Sequence, residues 1–465
     1  MKRIAQKYCN SEQWEKALRT IYYACGYMYN MNQILADPEL EKLVEYVVQQ
    51  NLPSIEPYEV DSQTVLFYDS FGNPDRGLTG IYIQALNDLG YKVQYVTPVS
   101  KYDYKNNKNI HFDNWYIVEG KQYLDKIEYL AQLVRKTKAC KIFMYLMPED
   151  LVAVGAFGMF SNIVERYQIN LTDHAFWLGT NISDIVINFR EFGAKVCEQY
   201  RGIQRRKNVY LPYYPKILCT ENKKLERSVK NRPYIFSGGD LYKTQSKDKK
   251  FYKIVENILR EVDINFVYFG KGNARNIRKL QKHFPDRIFF ERERTDFFDV
   301  LKESILYLST YPYNGGLMTQ YALLANKIPV TLNASGIEAE LTINHKDTFW
   351  NYSSEQACLE EIVNLVRNKD YRMKKETQLK KFIIDKEQFA DELKYIIDYK
   401  ESMRKVDYKA VCIEGFQSQP LWYYSGVRYN RLFFRKNGMF FLKHFPIRFL
   451  LGMFGRINEK YETGI

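Results

Sequence analysis

Short apolar runs alternate with stretches of helical period through most of this chain. Thr64–Tyr68 predicts a first buried strand, and Lys92–Val96 predicts the next. Between them Leu78, Ile81, Ala85, Leu86 and Leu89 share one helical face, with Gly90 as a cap. Trp115–Val118, Lys141–Tyr145 and Asp184–Asn188 predict further strands, with a helix near 121–138. A second series begins later: strands at 233–237, 265–269, 287–291 and 305–309, and helices at 250–262, 273–284 and 296–303. Such alternation predicts doubly wound parallel sheets.

The two series flank a break at 212–232, where Pro-Tyr-Tyr-Pro gives way to a polar, lysine-rich stretch. That break predicts an interdomain linker. Two halves in tandem predict an α/β protein of two facing Rossmann-like domains with a cleft between them. Residues 1–50 follow another rhythm. Trp14, Ala17, Leu18, Ile21, Ala24 and Cys25 form one stripe; Leu40, Leu43, Val44 and Val47 form a second after Asp37-Pro38. A helical pair like one tetratricopeptide unit is expected, packed on the main body or on a protein partner. The expected domains are a helical extension at 1–60, a first Rossmann-like domain at 61–215 and a second at 216–405. A tail follows at 406–465.

Composition narrows the chemistry. At 465 residues, 46% of them apolar, the chain suits a two-domain globular protein. Its net charge of +13 fits an anionic partner. Seven scattered Cys include no Cys-x-x-Cys pair, so neither a zinc site nor a disulfide framework is expected. The polar start predicts no signal peptide, and no apolar run reaches the about 18 residues of a span. A cytoplasmic protein is expected.

One segment carries the candidate chemistry. Tyr311-Pro-Tyr-Asn-Gly-Gly-Leu-Met-Thr-Gln-Tyr-Ala-Leu-Leu-Ala-Asn-Lys-Ile-Pro-Val330 links two strands through a glycine pair and a helix. Glycines let a backbone approach an anion, and first-turn helix amides point at it. The diphosphate of a sugar nucleotide is such an anion. Upstream, Tyr234-Ile-Phe-Ser-Gly-Gly-Asp-Leu-Tyr-Lys243 ends a strand on Gly238 and Gly239 and brings Lys243 to the same edge. A tight turn explains those glycines equally well. Phe269-Gly-Lys-Gly-Asn273 reads as a structural turn, and Glu291–Asp296 as a charged loop or a source of base or phosphate contacts.

Strand–Gly-Gly, strand–Gly-x-Gly and Tyr313-Asn-Gly-Gly-Leu-Met-Thr319 with Ala325–Val330 together resemble the carboxy-terminal half of a GT-B glycosyltransferase. The resemblance implies that this half binds the nucleotide sugar and that the helix at Leu317–Asn326 caps its diphosphate. The implied donor residues are Gly238, Gly239, Lys243, Asn314, Gly315, Gly316, Leu317, Met318 and Thr319. Many retaining members carry two glutamates separated by seven residues here; this chain has Asn314 and Ala322 (or Tyr321, with a one-residue shift) instead. The anomeric outcome therefore stays open.

In the first half, His174 is one of five histidines and lies in Ile169-Asn-Leu-Thr-Asp-His-Ala-Phe-Trp-Leu-Gly179. A neutral imidazole there can take the proton of an acceptor hydroxyl or hold the sugar. The resemblance implies that the Asp173-His174 element faces the cleft. Asp75, Arg76 and Gly77, after the first strand, are expected to line the acceptor side, with Arg190 as a cleft or loop anchor.

Residues 428–460 hold eight Lys/Arg against one Glu, interleaved with Phe and Leu. That mixture suits an element on an anionic membrane surface or a strap across both domains. No RNA-binding signature accompanies it, so no nucleic-acid partner is expected. The combined expectation is a hexosyltransferase at the inner face of the membrane. It would move sugar from a nucleoside-diphosphate donor to a glycan or lipid-linked acceptor, as in capsule or exopolysaccharide assembly. No metal and no tightly bound cofactor is expected. The rivals are a nucleotide-sugar 2-epimerase and an idle scaffold of the same fold.

Overall fold

The computed structural model describes residues 1–31, 34–74, 77–99, 110–217, 229, 231–246, 248–292, 294, 296–333, 342–411, 413 and 433–454. The chain forms two compact units: Met1–Leu211 with Lys386–Ile465, and Pro212–Asp385.

The first unit is built on β1 (Asp61–Asp69), β2 (Lys92–Thr97), β3 (Asn114–Ile117), β4 (Ala139–Tyr145), β5 (Glu165–Asn170), β6 (Ile185–Asn188) and β7 (Asn208–Tyr210). They pair in the order β3-β2-β1-β4-β5-β6-β7, parallel throughout. Val65, Leu66, Phe67 and Tyr68 are fully buried, as a central parallel strand covered on both faces requires. Helix Leu151–Gly158, β5 and β7 are absent from the sequence expectation; β5 carries Glu, Arg, Gln and Asn and so forms no apolar run. The helix is apolar on nearly every side and shows no period, and β7 is only 3 residues long.

Three amino-terminal helices occur, Lys2–Asn10, Trp14–Met31 and Pro38–Asn51, where the pattern predicts a pair. The first buries only Ala5 and Cys9, too few to make a stripe. Ala17, Leu18, Ile21, Val44 and Val47 join Leu66, Val134 and Phe157 in one apolar cluster, so the extension packs on the body of its own unit. Asp37 caps Pro38–Asn51 by accepting from the Glu39 and Leu40 amides. Glu41 then ties that helix to the loop after β5. It is buried and accepts from the amides of Gly179, Thr180 and Asn181 at 2.8–2.9 Å.

The second unit contains β8 (Tyr234–Gly238), β9 (Asn265–Phe269), β10 (Ile288–Glu291), β11 (Tyr307–Leu308), β12 (Pro329–Leu332) and β13 (Asn351–Tyr352). Their order is β10-β9-β8-β11-β12-β13, again all parallel. Both sheets thus reverse direction at one place, between β1 and β4 and between β8 and β11. Ligands of open parallel sheets collect at the carboxyl ends of the strands beside such a reversal.

Residues 386–405, expected in the second domain, pack with the first unit instead. Helix Lys386–Tyr399 buries Phe389, Leu393, Ile396 and Ile397; Phe389 meets Tyr82 edge-on at 5.1 Å and Lys386 pairs with Asp88 at 2.8 Å. Amphipathic periodicity marks the buried face but not its destination. Most of the expected linker at 212–232 lies outside the described residues.

Candidate functional site

The second unit gathers the expected donor residues at its sheet reversal. Gly239 follows β8 with φ of 125°, a conformation open to glycine, and its carbonyl accepts from the Tyr268 hydroxyl at 2.8 Å. A Cβ on Gly270 would fall 2.0 Å from that carbonyl, so the glycine turns after β8 and β9 lie against each other. The Phe269-Gly-Lys-Gly segment therefore shapes the Gly238-Gly239 loop directly. Lys243 sits in the short turn Leu241–Thr244, and its carbonyl accepts from the Tyr313 amide at 3.4 Å. Burial pushes its ammonium below the ordinary lysine range, opposed by Asp240.

Loop 309–315 closes the other side. Thr310 Oγ1 donates to the Tyr313 carbonyl at 2.6 Å, and the Ser309 hydroxyl lies 3.5 Å from the Asn314 side-chain oxygen. Gly315 caps helix Gly316–Leu324; the Thr319 amide returns to the Gly315 carbonyl at 2.8 Å. The amides of Gly316, Leu317 and Met318 precede that first helical bond and point out of the helix end. Two buried hydroxyls here, Ser237 and Thr319, have no hydrogen-bond partner among the described residues. Buried polar atoms rarely stay unsatisfied; Ser237 adjoins the Gly238 turn, and Thr319 lies in the first turn of the helix. Leu317 is exposed, and Met318 packs beside Tyr321. Ala322 is fully buried in that apolar cluster.

A neighbouring cavity of ≈ 470 Å³ escaped the sequence reading. Lys271, Arg278, Arg292 and Phe290 line it with Gly270 and Gly272, at the carboxyl ends of β9 and β10. Its cations lie far apart in sequence, so only the residues after Phe269 and Glu291 hinted at it. Arg294, by contrast, is held at 3.1 Å by Glu291 and at 2.7 Å by Asp296.

In the first unit the expected acceptor-side residues and several buried carboxylates follow the carboxyl ends of β1, β4 and β5. Beyond β5 the chain turns, so Asp173 and His174 do not alternate as strand neighbours would. His174 Nδ1 lies 3.1 Å from Asp173 Oδ1, and the imidazole is 27% exposed while the carboxylate is 2%. With Nδ1–H donating to Asp173, Nε2 is the basic nitrogen. Arg190 forks onto both oxygens of Asp173, at 2.5 and 2.9 Å. Burial alone would raise the Asp173 carboxyl, but Arg190 and then His174 reverse that and hold it well below the usual carboxylate range. Arg190 thus acts on the Asp173–His174 pair. Arg201 secures the same turn from behind, donating to the carbonyls of Thr172, Asp173 and Ala175.

Asp69, at the end of β1, is spent on structure. It accepts from the amides of Phe71 and Asn73 and the hydroxyls of Thr79 and Tyr95. Gly77 has φ of 68°, and a Cβ there would lie 2.8 Å from the Tyr145 hydroxyl. Asp75 and Arg76 lie outside the described residues. After β4, Asp150 accepts from Tyr68 and Ser70 at 2.9 and 2.5 Å. Glu149 beside it is pushed above the usual range by burial and by the charge of Asp150, against a backbone hydrogen bond and Lys436, which lower it. The sequence reading missed both carboxylates, because a Pro-Glu-Asp turn has no distinctive spacing.

No family model and no curated protein matches the chain. Solved structures do. TarM aligns with TM-score 0.53 and 11% identity over 74% of this chain and 100% of its own. An O-GlcNAc transferase mutant of Thermobaculum terrenum aligns at 0.50 and 12% over 90% of this chain and 84% of its own. A UDP-GlcNAc 2-epimerase of Neisseria meningitidis, bound to UDP-GlcNAc, aligns at 0.50 and 12% over 72% and 98%. At such identities the likeness is one of fold. The chain is an α/β protein of two Rossmann-like units. Its fold is GT-B, the fold shared by these glycosyltransferases and the epimerase.

Proposed function

We propose that this protein is a glycosyltransferase of the hexosyltransferase class, using a nucleoside-diphosphate sugar. The observation that carries this reading is the meeting of the Gly239 turn, Lys243 and the open end of helix Gly316–Leu324 in one unit, with Ser237 and Thr319 unsatisfied beside them. First-turn amides and the Lys243 ammonium would neutralise the diphosphate as it leaves. Asn314, Gly315, Gly316, Leu317 and Met318 would form the rim around it.

His174 is assigned the acceptor proton, with Asp173 fixing its tautomer and Arg190 fixing Asp173. The acceptor oxygen bonds to the anomeric carbon, and the bond from that carbon to the diphosphate oxygen breaks with its electron pair. The hydroxyl proton passes to His174 Nε2. The acceptor we infer is a glycan or lipid-linked saccharide of cell-surface polysaccharide assembly, reached from the cytoplasmic side; the +13 charge supports an anionic acceptor surface.

The test is to incubate the protein with common nucleotide sugars, with and without lipid-linked saccharides, and follow nucleotide release and sugar transfer. Transfer supports the proposal. Conversion of UDP-GlcNAc to its 2-epimer would assign the epimerase chemistry instead. Nucleotide binding without turnover would leave a scaffold, and no binding at all would overturn the donor site.

A further inference from the structure

The carboxy-terminal segment presents two opposite surfaces. Helices Gly438–His444 and Pro446–Met453 turn one side inward. There Phe434 and Phe441 are fully buried with Tyr27, and Phe433, Phe440, Phe445 and Phe449 pack around them. The fit is close: a Cβ on Gly452 would fall 2.1 Å from the Phe434 ring, and one on Gly438 3.1 Å from Phe449. Arg448 donates to the Tyr27 hydroxyl at 2.9 Å. The segment is therefore anchored on helix Trp14–Met31 by a sealed aromatic layer.

The outward side is also apolar. Met439 is 89% exposed, Ile447 73%, Phe454 64%, and Leu442 and Leu450 53% each. These are five of the fifteen exposed large apolar side chains among the described residues, concentrated in 433–454. Ile447, Leu450 and Phe454 follow i, i+3, i+7 spacing, which puts them on one helical face. Arg435, Lys436 and Lys443 are exposed around them, and residues 433–454 contain no Asp or Glu.

We propose that this helical pair is a membrane-surface anchor. Met439, Leu442, Ile447, Leu450 and Phe454 enter the headgroup region of an anionic bilayer, and Arg435, Lys436 and Lys443 pair with its phosphates. The aromatic layer beneath makes the anchor rigid. Helices of 7 and 8 residues are far shorter than the about 20 residues of a span, so the segment lies in the interface. The charge selects the occupant: a second copy of this cationic segment would be repelled, whereas an anionic surface is complementary.

The test uses the full chain and co-sedimentation with phosphatidylcholine vesicles, with and without phosphatidylglycerol. Strong binding is expected only with phosphatidylglycerol, weakening as salt rises. Replacing Arg435, Lys436 and Lys443 with Gln should weaken that binding on the order of a hundredfold. Ile447→Ser with Leu450→Ser and Phe454→Ser should weaken it at least about tenfold. Should that triple variant melt early, Ile447→Glu alone decides, because its side chain supports nothing inside. Equal binding by wild type and variants overturns the proposal. So does a wild-type dimer that ignores vesicles and becomes a monomer on Ile447→Glu, which would give the face to a second copy.

Discussion

Arg190 and Asp173 form a buried two-pronged ion pair whose second role is to hold His174: one carboxylate serves a guanidinium and an imidazole together. Replacing Arg190 with Ala leaves an uncompensated buried carboxylate, a loss of about 3–5 kcal/mol. Denaturant unfolding of Arg190→Ala beside Asp173→Asn measures it. The Asp173 carboxyl is depressed in the folded state, so its contribution is fully present above the unfolded value of about 3.9. It is lost as pH falls from there through the folded value. Stability of the wild type should drop below about pH 4 more steeply than that of Asp173→Asn.

His174→Ala is expected to lower turnover by about two to four orders of magnitude with little change in melting temperature. The ring is partly exposed and fills no core cluster. Nucleotide binding should persist, since the proposed donor residues all belong to the other unit. Near-normal turnover in this variant would return His174 to a structural role.

Lys243 separates stability from binding. Its ammonium is disfavoured by burial, so Lys243→Met should leave the nucleotide-free melting temperature unchanged or raised. A saturating nucleoside diphosphate should stabilise the wild type by about 2.7 kcal/mol at a hundredfold excess over its Kd. That shift should shrink sharply in Lys243→Met and vanish in Gly315→Val with Gly316→Val. An unchanged shift in Lys243→Met would remove the lysine from the donor site.

Glu41→Ala should cost about 3 kcal/mol by orphaning the amides of Gly179, Thr180 and Asn181. Burial raises the Glu41 carboxyl despite those amides. The folded state therefore keeps this proton to higher pH than the unfolded chain. Stability from this group declines as pH rises from the unfolded value of about 4.3 through the folded one. Glu41→Gln should flatten that slope, and a pH series of unfolding midpoints checks it.

Much of the fold is legible because both sheets are built from short apolar runs. Val65–Tyr68 and Ile235–Phe236 are buried on both faces, so they read as strands without a partner in view. Leu151–Gly158 does not, since a helix apolar on all sides has no period. The glycines of the proposed donor site are readable as turns, but only the closeness of Gly270 to the Gly239 carbonyl shows that the turns after β8 and β9 lie against each other. The cationic cavity and the Glu149–Asp150 turn escape because long-range packing makes them, with no local signal. The Asp173–His174 pair is readable as neighbours; its orientation depends on Arg190, seventeen positions away.

The first unit is assembled from both ends of the chain, which sets the order in which the protein can mature. A ribosome that has released Leu211 has made the seven strands of the first sheet but not the helix Lys386–Tyr399 that covers Tyr82. The intervening segment takes on the order of ten to forty seconds to synthesise. During that interval Pro212–Asp385 is free to fold as one continuous piece, while the earlier unit waits with apolar surface uncovered. The nascent first unit should therefore recruit chaperones and be cut readily by protease. A chain stopped at Asp385 should stay in that vulnerable state, and one extended through Val411 should largely escape it. Equal protease resistance of the two would show that the first unit closes without its last helix.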